Sequence, residues 1–180
     1  YSSAASDVYK RQGLPTAAFI ASKGIKVTGV DVNAAFVESI NRGEVPFVEP
    51  GFDVMLKKVV DKGLLVAQSK QIEADAYIVC VPTPFADDYK VDTKYINAAV
   101  EAMAPHLRPG ALVVLESTSP PGTTEAMAKH IVELRPDLSL DEDAENAIFV
   151  AHCPERVLPG RIMEEMESND RVIGLSLIHI

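Results

Sequence analysis

Three short loops contain most of the side chains in this sequence that could do chemistry, and each follows an apolar stretch that we predict to be a strand. The first loop, Val-Pro-Thr-Pro at residues 81–84, has two prolines, which fix the backbone and remove hydrogen-bond donors. Thr83 carries its only hydroxyl. This pattern is typical both of a rigid turn and of a ligand contact through Thr83, and the sequence favours neither.

The second loop covers residues 116–124, Glu-Ser-Thr-Ser-Pro-Pro-Gly-Thr-Thr, and leads into a predicted helix. Five hydroxyl groups and Gly122 therefore come together at a helix N-terminus, where backbone N–H groups and hydroxyls can donate to a ligand. Capping the helix needs only one of these hydroxyls. The presence of the other four hydroxyls favours a ligand contact.

The third loop, Cys-Pro-Glu-Arg-Val-Leu-Pro-Gly at residues 153–160, places Glu155 and Arg156 side by side between prolines. The two could form a surface ion pair, which would add little stability. At the end of a strand, Arg156 could instead bind a phosphate or a sugar oxygen through its planar fork of donors.

A fourth segment, residues 13–31, predicts what kind of ligand these loops bind. Gly13 opens a stretch with apolar residues at helical spacing, and residues 26–30 read as a β-branched strand that ends at Asp31, eighteen positions after Gly13. This is the pattern of the second half of a dinucleotide-binding βαβ unit. There, the glycine lets the helix pack on the sheet, the helix N-terminus faces the pyrophosphate, and the acid binds the adenosine ribose.

The first half of that unit is missing from the sequence, since no apolar strand and no Gly-x-Gly precede Gly13. Residues 1–12 and 175–180 resemble translated sequencing adapters, and we exclude both from the predicted fold. The expected domain is residues 13–174. The alternative is a genuine N-terminal arm and a genuine C-terminal strand.

Helices and apolar strands alternate along the rest of the chain. Further strands are predicted at residues 64–67, 76–81, 111–116 and 147–151. Helices are predicted at residues 33–42, 52–62, 95–107 and 124–134. This order predicts an α/β fold with a Rossmann-like doubly wound parallel sheet that lacks its first strand. Ligands of such sheets bind beyond the carboxyl ends of the strands, where the three loops lie.

Composition excludes several classes of protein. The chain has 180 residues, enough for one domain, and a net charge of −9, which argues against binding to nucleic acid or to an anionic membrane surface. Its two cysteines, Cys80 and Cys153, have no metal-ligand spacing and form no disulfide framework. We therefore expect no metal site, no membrane association and a cytoplasmic location.

The motifs, taken in order, resemble those of the UDP-glucose/GDP-mannose dehydrogenase family, which oxidises UDP-sugars at C6. They are Gly-Leu-Pro-Thr-Ala from residue 13, Gly-Val-Asp-Val-Asn from 29, Val-Pro-Thr-Pro-Phe from 81, Leu-Glu-Ser-Thr-Ser-Pro-Pro-Gly-Thr-Thr-Glu from 115 and Cys-Pro-Glu-Arg-Val-Leu-Pro-Gly from 153. The Pro-Glu-Arg-Val form resembles the N-acetylhexosamine branch. UDP-N-acetyl-D-mannosamine is therefore the implied substrate, with UDP-N-acetylglucosamine and UDP-glucose as alternatives.

The resemblance also implies the cofactor and the residues that bind it. Gly13 corresponds to the last fingerprint glycine, and Asp31 would bind the adenosine ribose. The charge of Asp31 would repel a 2′-phosphate, so NAD is favoured over NADP. Thr83, Thr118 and Thr124 would contact the cofactor.

For the substrate, the resemblance implies that Arg156 and Val157 contact the UDP-sugar and that Glu155 lies near the reacting centre and orients water. Family members carry a nucleophilic cysteine in a Gly-Gly-His-Cys type motif and a lysine on a long central helix, through which they dimerise. This sequence has neither motif, and we assign neither Cys80 nor Cys153 as the nucleophile. We therefore expect the full-length enzyme to be a homodimer and this chain to be inactive.

Two alternatives remain. The chain as written could be a nucleotide-binding module without catalysis. It could also be a relative of the 6-phosphogluconate or hydroxyisobutyrate dehydrogenases, which share the cofactor fold. The hydroxyl-rich stretch at residues 117–124 argues against the second alternative.

Overall fold

The computed structural model describes residues 13–45, 47, 49–84, 92–158 and 160–175. Their helices are α1 (Gly13–Ser22), α2 (Ala34–Asn41), α3 (Phe52–Asp61), α4 (Lys94–Met103), α5 (Thr123–Leu134) and α6 (Ile162–Ser168). Their strands are β1 (Val27–Val30), β2 (Leu65–Gln68), β3 (Ala76–Val79), β4 (Leu112–Leu115), β5 (Phe149–His152) and β6 (Gly174–Leu175).

The chain forms two compact units, and the first is discontinuous in sequence. It contains the described residues up to Gln71 together with Arg156–Asp170. The second contains Ile72–Glu155 and the described residues from Arg171 onward.

The first unit has a parallel pair of strands, β1 and β2, with Val27 opposite Leu65. Helices α1 and α3 supply most of its core, because their small and apolar residues recur at helical spacing. The core residues are Leu14, Ala18, Ala21, Ile40, Phe52, Leu56, Val59, Leu65 and Ala67. The amide of Asn41 both donates to the carbonyl of Ala67 (2.9 Å) and accepts from its N–H (2.8 Å).

The second unit has a four-stranded sheet in the order β3-β4-β5-β6. Strands β3, β4 and β5 are parallel, with Ala76 opposite Leu112 and Leu112 opposite Phe149, and β6 joins β5 in the antiparallel direction. Helices α4 and α5 pack with the strands around a core that includes Val100, Ile131 and Ile148, each inaccessible to solvent.

The α/β class, the Rossmann-like parallel pairing and the order of the predicted helices and strands are confirmed. Three details differ. Strand β3 ends at Val79, not at residue 81, because the backbone of Val81 bonds to the side chain of Ser117 instead of to β4. Helix α4 ends at Met103 and continues as a 3-10 turn that contains Pro105, which cannot donate a helical hydrogen bond.

The third difference is that helix α6 and strand β6 were not predicted. Strand β6 pairs Gly174 with His152 and Leu175 with Ala151, and it adds one antiparallel strand to a sheet predicted to be parallel. Residues 1–12 and 176–180 lie outside the described residues. The missing first strand and the adapter-like ends therefore stay predictions.

Within the described residues, no helix has the length and apolarity needed to cross a bilayer. The same residues contain no group of three or more histidine, cysteine or acidic side chains that could hold a metal ion.

Candidate functional site

The three loops predicted to carry chemistry begin at the ends of neighbouring strands of the second unit, and the third loop passes into the first unit at Arg156. Glu116, directly after β4, donates its N–H to the carbonyl of Val79 at the end of β3 (3.0 Å). Cys153, directly after β5, donates to the carbonyl of Leu115 at the end of β4 (3.0 Å). The parallel register thus brings the start of each loop against the neighbouring strand, at the carboxyl edge where α/β proteins bind ligands.

A buried serine joins the first two loops. The hydroxyl of Ser117, which is 1% exposed, accepts from the N–H of Val81 (2.8 Å) and donates to the carbonyl of the same residue (2.7 Å). Two residues further along, the hydroxyl of Thr83 donates to the carbonyl of Thr118 (2.8 Å). The structure therefore brings together two of the predicted cofactor residues, and Thr118 keeps its own side chain exposed.

Thr124 lies in the first turn of α5. Gly122 is the N-cap of this helix and has φ 87°, a left-handed conformation that favours glycine. A glycine cap has no side chain to occupy the N–H groups of the first turn, so these groups can bind a polar or anionic ligand. The hydroxyl-rich loop thus ends at a 12-residue helix with an open N-terminus.

Glu116 lies at the centre of a buried polar cluster. Its side chain is 4% exposed, its Oε2 accepts a hydrogen bond from the thiol of Cys80 (2.8 Å), and its Oε1 lies 3.7 Å from Nη1 of Arg171. Burial raises the pKa of the Cys80 thiol well above its ordinary value, and the negative charge of Glu116 raises it further. A raised pKa disfavours the thiolate, which is the reactive form of a cysteine. Cys80 lies just after β3, not inside a strand.

Glu155 differs from the other acids of the second unit. Within the described part of the chain, its Oε1 is out of contact with solvent and has no hydrogen-bond partner. Burial raises its pKa to about 8; the charge of Glu116 adds to this, and Arg171 opposes it. A carboxyl group with such a pKa exchanges a proton readily near neutral pH, which is the property of a general acid or base.

The other predicted residues lie in the first unit. Gly13 begins α1, and Asp31 directly follows β1. The N–H of Asp31 donates to the carbonyl of Gln68 (3.1 Å), and its Oδ1 accepts from the N–H of Asn33 (2.8 Å), so its carboxylate is fixed at the carboxyl end of the strand. Arg156 has an exposed side chain and Val157 a half-buried one.

The predicted site residues are therefore divided between the two units. Four belong to the first unit: Gly13, Asp31, Arg156 and Val157. Four belong to the second: Thr83, Thr118, Thr124 and Glu155.

Sequence reasoning gave no role to Glu116 or Arg171. Glu116 ends an apolar run and could have been noticed as a carboxylate at a strand end. Arg171 has no such signal, because its partner is 55 positions away in sequence.

Two clefts lie away from these loops. One, of about 500 Å³, is lined by Glu73, Asp75, Arg108 and Gly110 at the amino ends of β3 and β4. The other, of about 300 Å³, lies in the first unit between Ser22, Met55, Lys58 and Leu64. We place the candidate site at the strand ends instead, where the three predicted loops begin.

The chain is similar to known proteins over most of its length. The sequence profile of the UDP-glucose/GDP-mannose dehydrogenase family, NAD binding domain, matches residues 12–177. The UDP-N-acetyl-D-mannosamine dehydrogenase of Yersinia pestis is 52% identical over 164 residues, which are 90% of this chain and 39% of that protein. The enzyme of the same name from Campylobacter jejuni is 51% identical over 165 residues, 90% of this chain and 40% of its own length.

A solved structure is similar over the same region. The UDP-D-ManNAc dehydrogenase of Pyrococcus horikoshii superposes with a TM-score of 0.83 at 40% sequence identity, covering 91% of this chain and 38% of that one. The chain thus spans about two fifths of the length of the proteins that it matches.

Proposed function

Because the chain belongs to the UDP-glucose/GDP-mannose dehydrogenase family and corresponds to its NAD-binding domain, we propose that it is part of an enzyme that oxidises UDP-N-acetyl-D-mannosamine at C6 to UDP-N-acetyl-D-mannosaminuronate. The observation that carries the proposal is Glu155. It is a half-buried carboxyl group with a pKa of about 8, in a loop that begins at the carboxyl end of a parallel strand.

NAD is the cofactor of this family, and the residues of the chain fit it. In our proposal Gly13 lies at the helix N-terminus that faces the pyrophosphate, and Asp31 accepts hydrogen bonds from the adenosine ribose. The support for Asp31 is its carboxylate, held at the end of β1 by the N–H of Asn33. Thr83, Thr118 and Thr124 supply hydroxyls at the ends of β3 and β4 and at the start of α5. NAD, when bound, accepts hydride from the sugar.

We assign the proton-transfer role to Glu155. Its raised pKa means that it holds a proton at neutral pH and releases it with a small change in surroundings. Its Oε1, which has no hydrogen-bond partner among the described residues, is available to bind a water molecule or a sugar hydroxyl. Arg156 and Val157 follow directly in the chain, and we propose that they contact the UDP-sugar. Neither Cys80 nor Cys153 takes part in covalent catalysis.

The cofactor half of the proposal is tested by calorimetric titration of the purified chain with NAD and with NADP. We expect weak NAD binding, with a dissociation constant above about 100 µM, because no Gly-x-Gly precedes Gly13. NADP should bind more weakly still. The variant Asp31→Asn should lose about tenfold in NAD affinity, and the control Asp61→Asn should not.

Two results would count against this account. NAD affinity that is unchanged in Asp31→Asn removes Asp31 from the site, and a micromolar dissociation constant for the wild-type chain contradicts the adapter-like reading of residues 1–12. We also expect the chain to produce no NADH from any UDP-sugar.

A nucleotide-binding module without catalysis is the second candidate. The sequence favours it to the extent that it contains no Gly-Gly-His-Cys motif. Within the enzyme proposal, UDP-glucose and UDP-N-acetylglucosamine remain the alternative substrates, and assays of the full-length enzyme distinguish them.

A further inference from the structure

The segment that carries Arg156 and Val157 belongs to the first unit, although 84 residues of the second unit, Ile72–Glu155, precede it in the chain. The described residues from Arg156 to the start of α6 form no helix or strand. One backbone bond, from the N–H of Arg161 to the carbonyl of Leu158 (3.1 Å), lies within this segment, and side chains supply further bonds to its backbone.

Glu49 accepts two hydrogen bonds from this segment, although it lies far from the segment in sequence. Its side chain is 7% exposed; Oε2 accepts from the N–H of Gly160 (2.7 Å), and Oε1 accepts from the N–H of Ile162 (2.8 Å). These partners follow Glu49 by 111 and 113 positions. Both carboxylate oxygens are thus used to hold backbone N–H groups at the entry to α6.

Two further side chains complete the arrangement. Oε2 of Glu165 accepts from the N–H of Leu158 (2.8 Å), and Nδ2 of Asn169 donates to the carbonyl of Arg156 (2.8 Å). Every second residue from 156 to 162 is therefore held by a side chain. Glu165 and Asn169 belong to α6 or follow it directly, whereas Glu49 belongs to a separate part of the first unit.

Glu49 is therefore the hydrogen-bonding anchor between this segment and the part of the first unit that contains Asp31. A charged acceptor with two backbone donors gives strong and directional bonds, and its loss leaves the N–H groups of Gly160 and Ile162 without an acceptor. We propose that Glu49 is a positioning residue for the nucleotide sugar: it holds residues 156–162 in the conformation that presents Arg156 and Val157. This inference rests on the proposed function.

The positioning claim is tested first without any ligand, by amide hydrogen exchange on this chain. In Glu49→Gln, an amide group replaces one acceptor oxygen with a donor, so Gly160 or Ile162 loses its partner. We expect exchange at these two N–H groups to accelerate about tenfold or more, and exchange in β4 and β5 to stay unchanged. The control is Glu44→Gln, which alters an exposed carboxylate paired with Arg42. Unchanged protection of Gly160 and Ile162 overturns the inference, whatever the chain binds.

The functional claim is tested by steady-state kinetics of the full-length enzyme that contains this chain. Glu49→Gln should raise the KM for the UDP-sugar about tenfold or more, leave kcat within about threefold, and leave the KM for NAD unchanged. A merely structural role would instead lower the amount of active enzyme, which reduces apparent kcat and leaves both KM values unchanged. That result, or an unchanged KM for the sugar, overturns the inference.

A second variant covers the case in which Glu49→Gln does not fold. Asn169→Ala, at an exposed position, removes the bond to the carbonyl of Arg156 and a longer one to Oε2 of Glu165 (3.4 Å). It should raise the KM for the sugar in the same direction by a smaller factor, and no rise overturns the inference. A wild-type enzyme that oxidises no UDP-sugar would contradict the proposed function, whereas the exchange result for Gly160 and Ile162 would stand independently.

Discussion

Glu49 in the first unit is a buried carboxylate, and Glu155 in the second unit is a half-buried carboxyl group. The two differ in their hydrogen bonds. Glu49 has a backbone N–H on each oxygen, at 2.7 and 2.8 Å. Glu155 has a buried oxygen without a partner among the described residues, next to the negative charge of Glu116. Both oxygens of Glu49 therefore accept hydrogen bonds, whereas the buried oxygen of Glu155 accepts none from the described residues.

The difference distinguishes a carboxylate that stabilises the fold from a carboxyl group that can transfer a proton. The two backbone N–H groups that donate to Glu49 make it a fixed acceptor, which holds a segment of backbone. Burial and a like charge keep Glu155 protonated near neutral pH, at a cost in stability, and leave an oxygen available to a ligand. Perturbed groups of this kind concentrate at functional sites.

The largest effect expected from this comparison is on folding stability. Glu49→Ala should lower the free energy of unfolding by about 3 kcal/mol, because two N–H groups lose a charged acceptor in a buried place. The matched control, Glu44→Ala, removes an exposed ion pair with Arg42 and should cost far less, because exposed ion pairs contribute little to stability. Urea unfolding measures both. Equal losses in the two variants would show that Glu49 does not hold the segment.

Glu155→Gln should have a smaller, pH-dependent effect of opposite sign. Between pH 4.5 and about 8 the folded chain keeps a proton on Glu155 that the unfolded chain releases, so wild-type stability falls as the pH rises through this window. The variant has no carboxyl group at position 155, so it does not undergo this fall in stability. We expect the two proteins to be equally stable at low pH and the variant to be more stable above pH 8 by about 1 kcal/mol, a value reduced because the side chain is partly open to water.

Thermal unfolding at several pH values measures this difference. Parallel pH profiles for wild type and Glu155→Gln would mean that Glu155 is ionised in the folded chain, and its assignment as a general acid or base would be wrong.

Glu116→Gln should have the smallest effect, a shift in one titration. Removing the negative charge of Glu116 should move the pKa of Glu155 below 8, because that charge is a secondary cause of the rise after burial. Carboxyl-carbon NMR of Glu155 follows the titration directly. An unchanged or higher pKa would show that the two groups do not interact.

The sequence sufficed for the parts of the fold that depend on local patterns. Helix α2 begins after Asn33, as predicted, because the side chain of Asn33 accepts from the N–H of Phe36 (3.2 Å). Asp31 ends its strand as predicted. Thr83 and Thr118 were predicted in neighbouring loops, and the structure joins them by a hydrogen bond.

The rest could not be predicted because its causes are distant in sequence. Strand β3 stops early because of Ser117, which lies 36 positions after Val81. Glu49 lies between the helices predicted at residues 33–42 and 52–62, and only the fold reveals its partners more than 110 positions away. The pKa of Glu155 depends in the same way on burial and on the charge of Glu116, which lies 39 positions earlier in the sequence.

The central claim is that this chain is the NAD-binding part of a UDP-sugar dehydrogenase, and one measurement tests it most directly. The coding region for residues 13–174 would be extended outward in its source DNA, and the full-length protein would be assayed with NAD and three UDP-sugars. We predict a Gly-x-Gly strand upstream, a Gly-Gly-x-Cys segment downstream, and NADH production that is fastest with UDP-N-acetyl-D-mannosamine. Genuine ends at residues 1–12 and 175–180, or a full-length protein that oxidises no UDP-sugar, would contradict the account.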